Sequence, residues 1–403
     1  MQRVTFDNNL KREIASETSE SLREVCVPVT NEIRLQSFDV NQREAVLEIW
    51  RELQQRLGST SLMCSADWTE IWLKHYQDSI TVRFVVGYKQ EQVCGICLLS
   101  ESKHHRIGPV TVRTLHLGTA GELHGESVCV EYNDILCEPR YRNEFVCELQ
   151  KLIHKQGSWD QFRLDGINTE ANKPWPLYEN NDSGSSQVTV QSRVRESRYF
   201  DLEHCRAEGG DILSLLGKST RSNIRRRIKK LDEINLEWAE TTEQANDIFA
   251  ELIDLHQARW KKEGEPGAFA SSRFTGFQKD LIARLLPQQK VVLCRMKAGT
   301  QTIGCLYLLV DKNRLLDYVS GLASFEEVPS SGLISHYLCM NQAMQRGYDA
   351  YDFLVGEKRH KENLGKSANQ LQWVVCERNR TIFRLRNLAL KAKQIAKRIV
   401  RKP

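Results

Sequence analysis

A chain of 403 residues exceeds what one hydrophobic core ordinarily organises, and its 40% hydrophobic and 27% charged residues are the proportions of a soluble globular protein. No apolar run reaches the roughly 20 residues a membrane-spanning helix needs, and residues 1–20 have neither the apolar core of a secretory signal nor the acid-free composition of a transit peptide, so a cytoplasmic protein is expected. The net charge of +5 conceals two basic segments: residues 218–230 hold seven Lys or Arg and no acid, and the stretch after Glu377 holds ten and no acid.

In chain order, a polar leader (1–30) precedes a strand over 31–38, helices over 41–57 and 65–76, and a hairpin of 81–88 with 92–100. Strands over 110–117, 128–137 and 161–166 follow, with a helix over 142–156 before the last of them. The run Glu-Asn-Asn-Asp-Ser-Gly-Ser-Ser at 179–186 is the best linker signal in the chain and separates two halves of similar grammar. The second half opens with a strand over 198–202, a basic helix over 212–233, a strand over 236–241 and a long helix over 242–263. After a Gly-Pro-Gly-type break at 264–267 come a helix over 274–286, strands over 291–297, 301–311 and 314–321, a loop holding Pro329, a helix over 332–346 and a strand over 348–355. Strands alternating with helices and hairpins imply an α/β protein with a mixed sheet covered by helices on both faces.

The twelve cysteines are scattered, and many, like Cys94 and Cys97, sit in strand-like apolar runs, as reduced core thiols do. One Cys-x-x-Cys pair with no second pair, and with His104 and His105 loosely spaced from it, does not make a metal site; no metal is expected. In the basic tail, Leu385, Leu388, Ala392, Ile395, Ala396 and Ile399 recur at helical spacing and form an apolar stripe beside a cationic face. Such a helix docks on the protein, lies on an anionic membrane or follows a nucleic-acid backbone. The basic runs interleave few aromatics, Phe383 alone in the tail, so a nucleic-acid partner is expected only if the reaction uses tRNA.

The closing run Tyr348-Asp-Ala-Tyr-Asp-Phe-Leu-Val-Gly-Glu-Lys-Arg-His-Lys-Glu-Asn-Leu-Gly365 carries a carboxylate on a strand into a lysine-bearing loop. Alternation puts Asp352 on one face with Ala350 and Leu354, with Tyr351, Phe353 and Val355 on the other, so a central strand buries that charge, and a buried charge needs a partner or a task. This run, with His256-Gln-Ala-Arg-Trp260, the segment ending Gly-Ala-Phe269, and Pro329-Ser-Ser-Gly332, resembles the GNAT-like acyltransferases of the cellulose- and exopolysaccharide-biosynthesis type, similar in turn to Fem-type peptidyltransferases. The resemblance covers roughly residues 198–375. It implies tandem GNAT-like domains, each a mixed, mostly antiparallel sheet flanked by helices: a degenerate domain over 31–190, with landmarks Ser65-Ala-Asp-Trp68 and Trp159-Asp-Gln-Phe-Arg-Leu-Asp-Gly166, an acyltransferase domain over 191–377, and a basic helical tail over 378–403. Leu364 stands where the family usually has an aromatic.

Direct acyl transfer from a thioester needs a seat for the donor's phosphates, a base for the acceptor's proton and donors for the oxyanion. Ser330, Ser331 and Gly332 at a helix start suit the phosphates of acetyl-CoA or another acyl-CoA, or form an ordinary N-cap. Asp352 and Glu357, with Asp317 on the preceding strand, are the candidate bases, and each has a structural reading as a salt bridge with Arg346, Arg359 or a helix end. Lys361 is placed by the resemblance to steady the oxyanion or hold a phosphate. His256, Arg259 and Trp260 share a helix face and suit an acidic group, or pack in the core. Arg221, Arg225 and Lys229 line a cationic rail beside the stripe Ile224, Ile228 and Leu231, a dock for a phosphate-bearing acceptor or a solvated surface. The expected acceptor is a saccharide-type or other small amine or hydroxyl; the alternatives are an aminoacyl-tRNA-dependent transfer and a non-catalytic module on membrane or nucleic acid. Peripheral contact of 378–403 with the inner face of an anionic membrane fits the expected localisation.

Overall fold

The computed structural model describes residues 32–169, 188–231 and 233–388. The first half comprises β1 (Arg34–Phe38), α1 (Arg43–Leu57), α2 (Ala66–Tyr76), the hairpin β2 (Thr81–Lys89) and β3 (Gln92–Ser102), a short pair β4 (Arg106–Ile107) and β5 (Val110–Thr111), then β6 (Thr114–Leu117), β7 (Leu136–Cys137), α3 (Arg142–Gln156) and β8 (Gln161–Asn168). The second comprises β9 (Val188–Asp201), α4 (Leu202–Ala207), α5 (Ile212–Leu215), α6 (Lys218–Ile228), β10 (Ile234–Trp238), α7 (Thr242–Lys262), α8 (Ser272–Leu285), β11 (Val291–Ala298), β12 (Gln301–Asp311) and β13 (Arg314–Leu322). It closes with α9 (Ser331–Gln345), β14 (Ala350–Val355), α10 (Arg359–Leu364) and β15 (Ser367–Arg378).

Among the described residues thirteen strands form one sheet in the order β1-β2-β3-β6-β8-β15-β9-β14-β13-β12-β11-β10, with β7 on β3. Within it only β6 with β8 and β13 with β14 run parallel, and each of these pairs meets over three residues. The last strand, β15, lies between β8 of the first half and β9 of the second and pairs antiparallel with both. A boundary at 190/191 therefore falls inside β9, and the two halves share an unbroken sheet.

Three apolar clusters hold the layers together. One spans both halves, packing α1 and α2 with α7, α8 and the sheet through Trp68, Trp72, Phe249 and Phe277, each at most 1% exposed. Trp68 meets Phe277 edge-on at 5.1 Å, an arrangement the ring quadrupoles favour. The second cluster seats α4, α5, α6 and α9 on the opposite face of β11–β14, and the third seats α3 on the first-half strands and β15. Helix α7 starts on a capping box, with Thr241 accepting from the Gln244 N–H and Gln244 accepting from the Thr241 N–H. It lies so close to β13 that a Cβ on Gly321 would sit 2.4 Å from the Leu252 carbonyl oxygen, which is why glycine stands there.

Several expected elements differ. The expected strand 128–137 pairs as a strand at Leu136–Cys137, with a single parallel bridge from Asn133 to Ile167, because Cys129 and Tyr132 turn into the left-handed region (φ 51° and 56°) and carry the segment across to the second half. The strand 110–117 divides into β5, which pairs with β4 apart from the main sheet, and β6. The basic helix 212–233 breaks after Leu215, where Leu216 is extended (ψ 154°) before Gly217, a poor helix former; it ends at Ile228. Helices α4 and α10 and strand β15 are absent from the sequence reading, which treats 356–365 as loop. The linker run 179–186 and the tail beyond residue 388 lie outside the described residues; residues 381–388 are helical, with Leu385 and Leu388 57% and 62% exposed. Among the described residues no helix is long and apolar enough to cross a membrane.

Candidate active site

Strands β13 and β14 are in register only at Arg314–Leu316 against Ala350–Asp352. Beyond that they part: β14 reaches a left-handed Leu354 (φ 56°) and rejoins β9 at Val355. Where they part lies a cavity of about 230 Å³. Its walls are Asp317 to Ser320 of β13, Lys358, His360 and Lys361 at α10, His256, Arg259 and Trp260 of α7, Ala268 and Phe274, and Ser127 and Cys129 of the crossing segment. The close approach at Gly321 puts α7 here: His256 follows Leu252 by one helical turn and Trp260 by two.

Asp317 is the carboxylate of this cavity. Its side chain is 7% exposed, Oδ1 has no hydrogen-bond partner, and Oδ2 lies 3.7 Å from His336 Nε2. Burial pushes its carboxyl up, against the opposing pull of nearby cations, Lys361 foremost. His336, fully buried, exchanges a 2.9 Å hydrogen bond with the Tyr351 hydroxyl at Nδ1, and its ring stacks on His360 at 4.6 Å. With Tyr351 as donor the ring proton sits on Nε2, facing Asp317. Burial first, then neighbouring cationic groups, drive both imidazoles down to about 3, so both are neutral near pH 7. His336 Nε2 and His360 Nε2 also lack partners. Buried polar atoms are normally satisfied, so three such atoms on adjoining residues mark a place where another molecule supplies the bonds.

The same three side chains offer ligand atoms within 4.8 Å of one another, a carboxylate and two neutral imidazoles, and among the described residues they are the group that could hold a metal ion. Lys358 and Lys361 beside them oppose a cation and favour an anionic or polarised acyl group.

The expected site residues divide. His256, Arg259, Trp260, Asp317 and Lys361 line the cavity together. His256 is committed, accepting from the Trp260 indole N–H at 2.9 Å through Nε2 and meeting Gln257 through Nδ1 at 3.2 Å; burial, ahead of the other influences, holds its pKa below the ordinary imidazole value. Arg259 pairs with Glu263 at 3.0 Å. Lys361 lies against the cavity but is 8% exposed and donates to the carbonyls of Phe353, Leu354 and Val355, so its hydrogens hold the end of β14 rather than face an oxyanion.

Asp352, Glu357, Ser330, Ser331, Gly332, Arg221 and Arg225 lie outside the cavity wall. Asp352 is fully buried, as its inward face predicts, but its partner is Arg314, not Arg346 or Arg359. Tyr132 also donates to Oδ2, while Ser197 Oγ (2.7 Å) and the Leu354 N–H (2.8 Å) donate to Oδ1. Every oxygen of that carboxylate is engaged, which is the setting of a structural ion pair. Glu357 is exposed. Ser330, left-handed at φ 69°, makes no side-chain cap on α9, Ser331 Oγ donates to the Ala323 carbonyl at 2.8 Å, and Gly332 packs against Leu322. Arg221 and Arg225 ride on α6, anchored by the buried Ile224 in the cluster that also holds α9. His336, His360 and Lys358 escape the sequence reading, although His360 and Lys358 stand inside the run it emphasises.

Residues 218–362 match the family model described as acetyltransferase (GNAT) domain. That stretch is similar to GNAT-type acetyltransferase domains. It contains the whole cavity except Ser127 and Cys129, which the first half supplies. Among solved structures the chain is similar to FemX (11% identity, 84% of this chain and 96% of that one, TM-score 0.48) and to L-PGS from Bacillus licheniformis (10%, 88% and 97%, 0.48). It is also similar to a tandem GNAT protein from the clavulanic acid biosynthesis pathway (10%, 85% and 98%, 0.44). No curated protein matches the sequence.

Proposed function

We propose that the cavity between β13 and β14 transfers an acyl group from acyl-CoA to an amine or hydroxyl of a saccharide-type or other small acceptor. The observation that carries this reading is Asp317: a buried carboxylate with a free oxygen in a cavity of the GNAT-type domain, its basicity raised by burial. In the reaction the acceptor's N or O attacks the thioester carbon and gives its proton to Asp317 Oδ1. The tetrahedral intermediate then collapses with loss of the C–S bond, and the departing thiolate takes the proton back from Asp317, which restores the carboxylate. His336 steadies Asp317 from behind. The donor's phosphates belong at the start of α9, at Ser330, Ser331 and Gly332, where Gly332 offers a first-turn N–H group while that of Ser331 is given to the Val328 carbonyl, with Arg221 and Arg225 of the neighbouring α6 as cationic support. About five residues of β13, some 17 Å of strand, separate Asp317 from Leu322, which packs against Gly332, and an extended donor arm spans that distance. The exposed Leu385 and Leu388 beside Arg384 and Arg386 support, as an accessory role, contact of the tail with an anionic membrane surface.

Calorimetric titration with acetyl-CoA and longer acyl-CoAs, alongside turnover of Asp317→Asn, tests the reading. Donor binding unchanged with at least a 100-fold loss of kcat is the expected result. No acyl-CoA binding, with steeply salt-dependent binding of aminoacyl-tRNA instead, would transfer the proposal to the tRNA-dependent reaction.

A further inference from the structure

The first half holds a cluster to which the acyl-CoA reading gives no task. Strands β3, β6 and β8 are neighbours, with Ser100 opposite His116 and His116 opposite Arg163. Side chains alternate along a strand, so His116, together with Ser102 two residues from Ser100 and Asp165 two residues from Arg163, stands on one face of three adjacent strands. Their atoms meet: Ser102 Oγ lies 3.2 Å from His116 Nε2, and His116 Nδ1 lies 3.7 Å from Asp165 Oδ2. Ser102 and His116 are 7% and 6% exposed and open into a cavity of about 840 Å³, while Asp165 lies behind them and is oriented by Arg163 at 3.1 Å.

The surroundings suit a reacting group more than a closed polar core. Gly121, at φ 97°, passes so close that a Cβ there would sit 3.0 Å from Ser102 Cβ and 3.3 Å from the His116 ring, so its missing side chain keeps the space over the pair open. Two buried nitrogens have no hydrogen-bond partner: His116 Nδ1, which faces Asp165, and Nε of Arg163, which lines the same cavity. A hydroxyl within reach of one imidazole nitrogen, with a carboxylate beside the other, is the arrangement that activates a serine nucleophile, and it is commonly looser before substrate binds.

We propose that Ser102, His116 and Asp165 form a second catalytic site that cleaves carboxylic esters through an acyl-serine. Ser102 Oγ attacks the ester carbon while its proton passes to His116 Nε2. The tetrahedral intermediate expels the alcohol, which takes that proton. Water, deprotonated by His116, then releases the acid and restores Ser102. Asp165 holds the imidazole and balances its transient positive charge, and the free Arg163 Nε–H is the donor available to the oxyanion.

The test uses the full chain, a fluorophosphonate probe and p-nitrophenyl acetate, neither of which calls on acyl-CoA or on Asp317. The expected result is one adduct per chain, mapped by mass spectrometry to Ser102. It is absent in Ser102→Ala and forms at least 100-fold more slowly in His116→Gln, with ester hydrolysis following the same order. The labelling rate of the unaltered protein should rise with pH through a single deprotonation, a readout that survives if His116→Gln does not fold. A merely structural polar network would show no Ser102 adduct, a pH-independent rate, or hydrolysis that persists in Ser102→Ala, and any of these overturns the proposal.

Discussion

Replacing Asp352 by alanine separates a structural role from a catalytic one. In the folded protein Arg314 is 26% exposed on its side chain and its nearest opposite charge is Asp352, itself fully buried. Unit charges at contact distance under an effective dielectric near 20 attract by about 4 kcal/mol, and removing one member of a buried pair typically costs about 3–5 kcal/mol because the other charge remains buried. The Ser197 hydroxyl and the Leu354 N–H lose their acceptor in the same step, which sets the expected loss towards the upper end of that range. Urea denaturation of the single variants and of the Asp352→Ala, Arg314→Met double variant measures it. The double variant should recover part of the loss, since no charge is then left stranded, and the coupling should exceed about 1 kcal/mol. Stability within about 1 kcal/mol of the unaltered protein, with acyl transfer abolished, would refute the argument and return Asp352 to the chemistry.

Three further outcomes are expected. Lys361→Met strips the donor from three carbonyls at the end of β14, costing about 1–3 kcal/mol for each one left buried and unpaired, while kcat falls less than tenfold in whatever protein remains folded; a 100-fold fall in kcat at unchanged stability would point to oxyanion contact instead. Burial, the largest influence on each, pushes the Glu122 and Glu131 carboxyls up from 4.5 to about 7. At these two groups the folded chain therefore holds more protons than the unfolded one between those values, and their contribution to stability is fully present below about 4.5 and is lost as pH rises through 7, by up to about 3 kcal/mol per group. Denaturation at pH 5.5 and 8.5 should show that fall, and the Glu122→Gln, Glu131→Gln double variant should lose it. Zinc in excess should leave the melting temperature unchanged, because Lys358 and Lys361 oppose a cation beside Asp317, His336 and His360; a rise in Tm would make that trio a metal site.

The strands and helices whose apolar residues keep a clear period were legible in the sequence. Strand β12, Gln301–Asp311, is a hydrophobic run bounded by Gly299 and by the turn at Lys312–Asn313, and helix α7 begins on the Thr241 and Gln244 capping pair. Strand β15 was not, because Ser-Ala-Asn-Gln-Leu-Gln at its start reads as polar chain. What makes it a strand is a slot between β8 and β9, elements contributed by residues that precede it by 166 to over 200 positions. The burial of Asp352 followed from alternation, but its partner is set by the parallel register that puts Leu316 opposite Asp352 and Arg314 two residues away on the same face. Asp317 was visible as a strand carboxylate near the site. His336 was not, since its helix is apolar nearly all round and a histidine there looks like core until the sheet brings Asp317 against it.

The placement of β15 also governs how the protein is made. A ribosome emitting this chain releases both halves of the sheet before the strand that joins them, so β8 and β9 present bare hydrogen-bonding rims until β15 has emerged. Cotranslational folding can secure the helices packed on each half early. It cannot finish the sheet before residues 367–378 have emerged. A nascent chain stalled or cleaved ahead of residue 367 would carry two adhesive edges at once, and neither half is a unit that can be excised and expected to remain soluble.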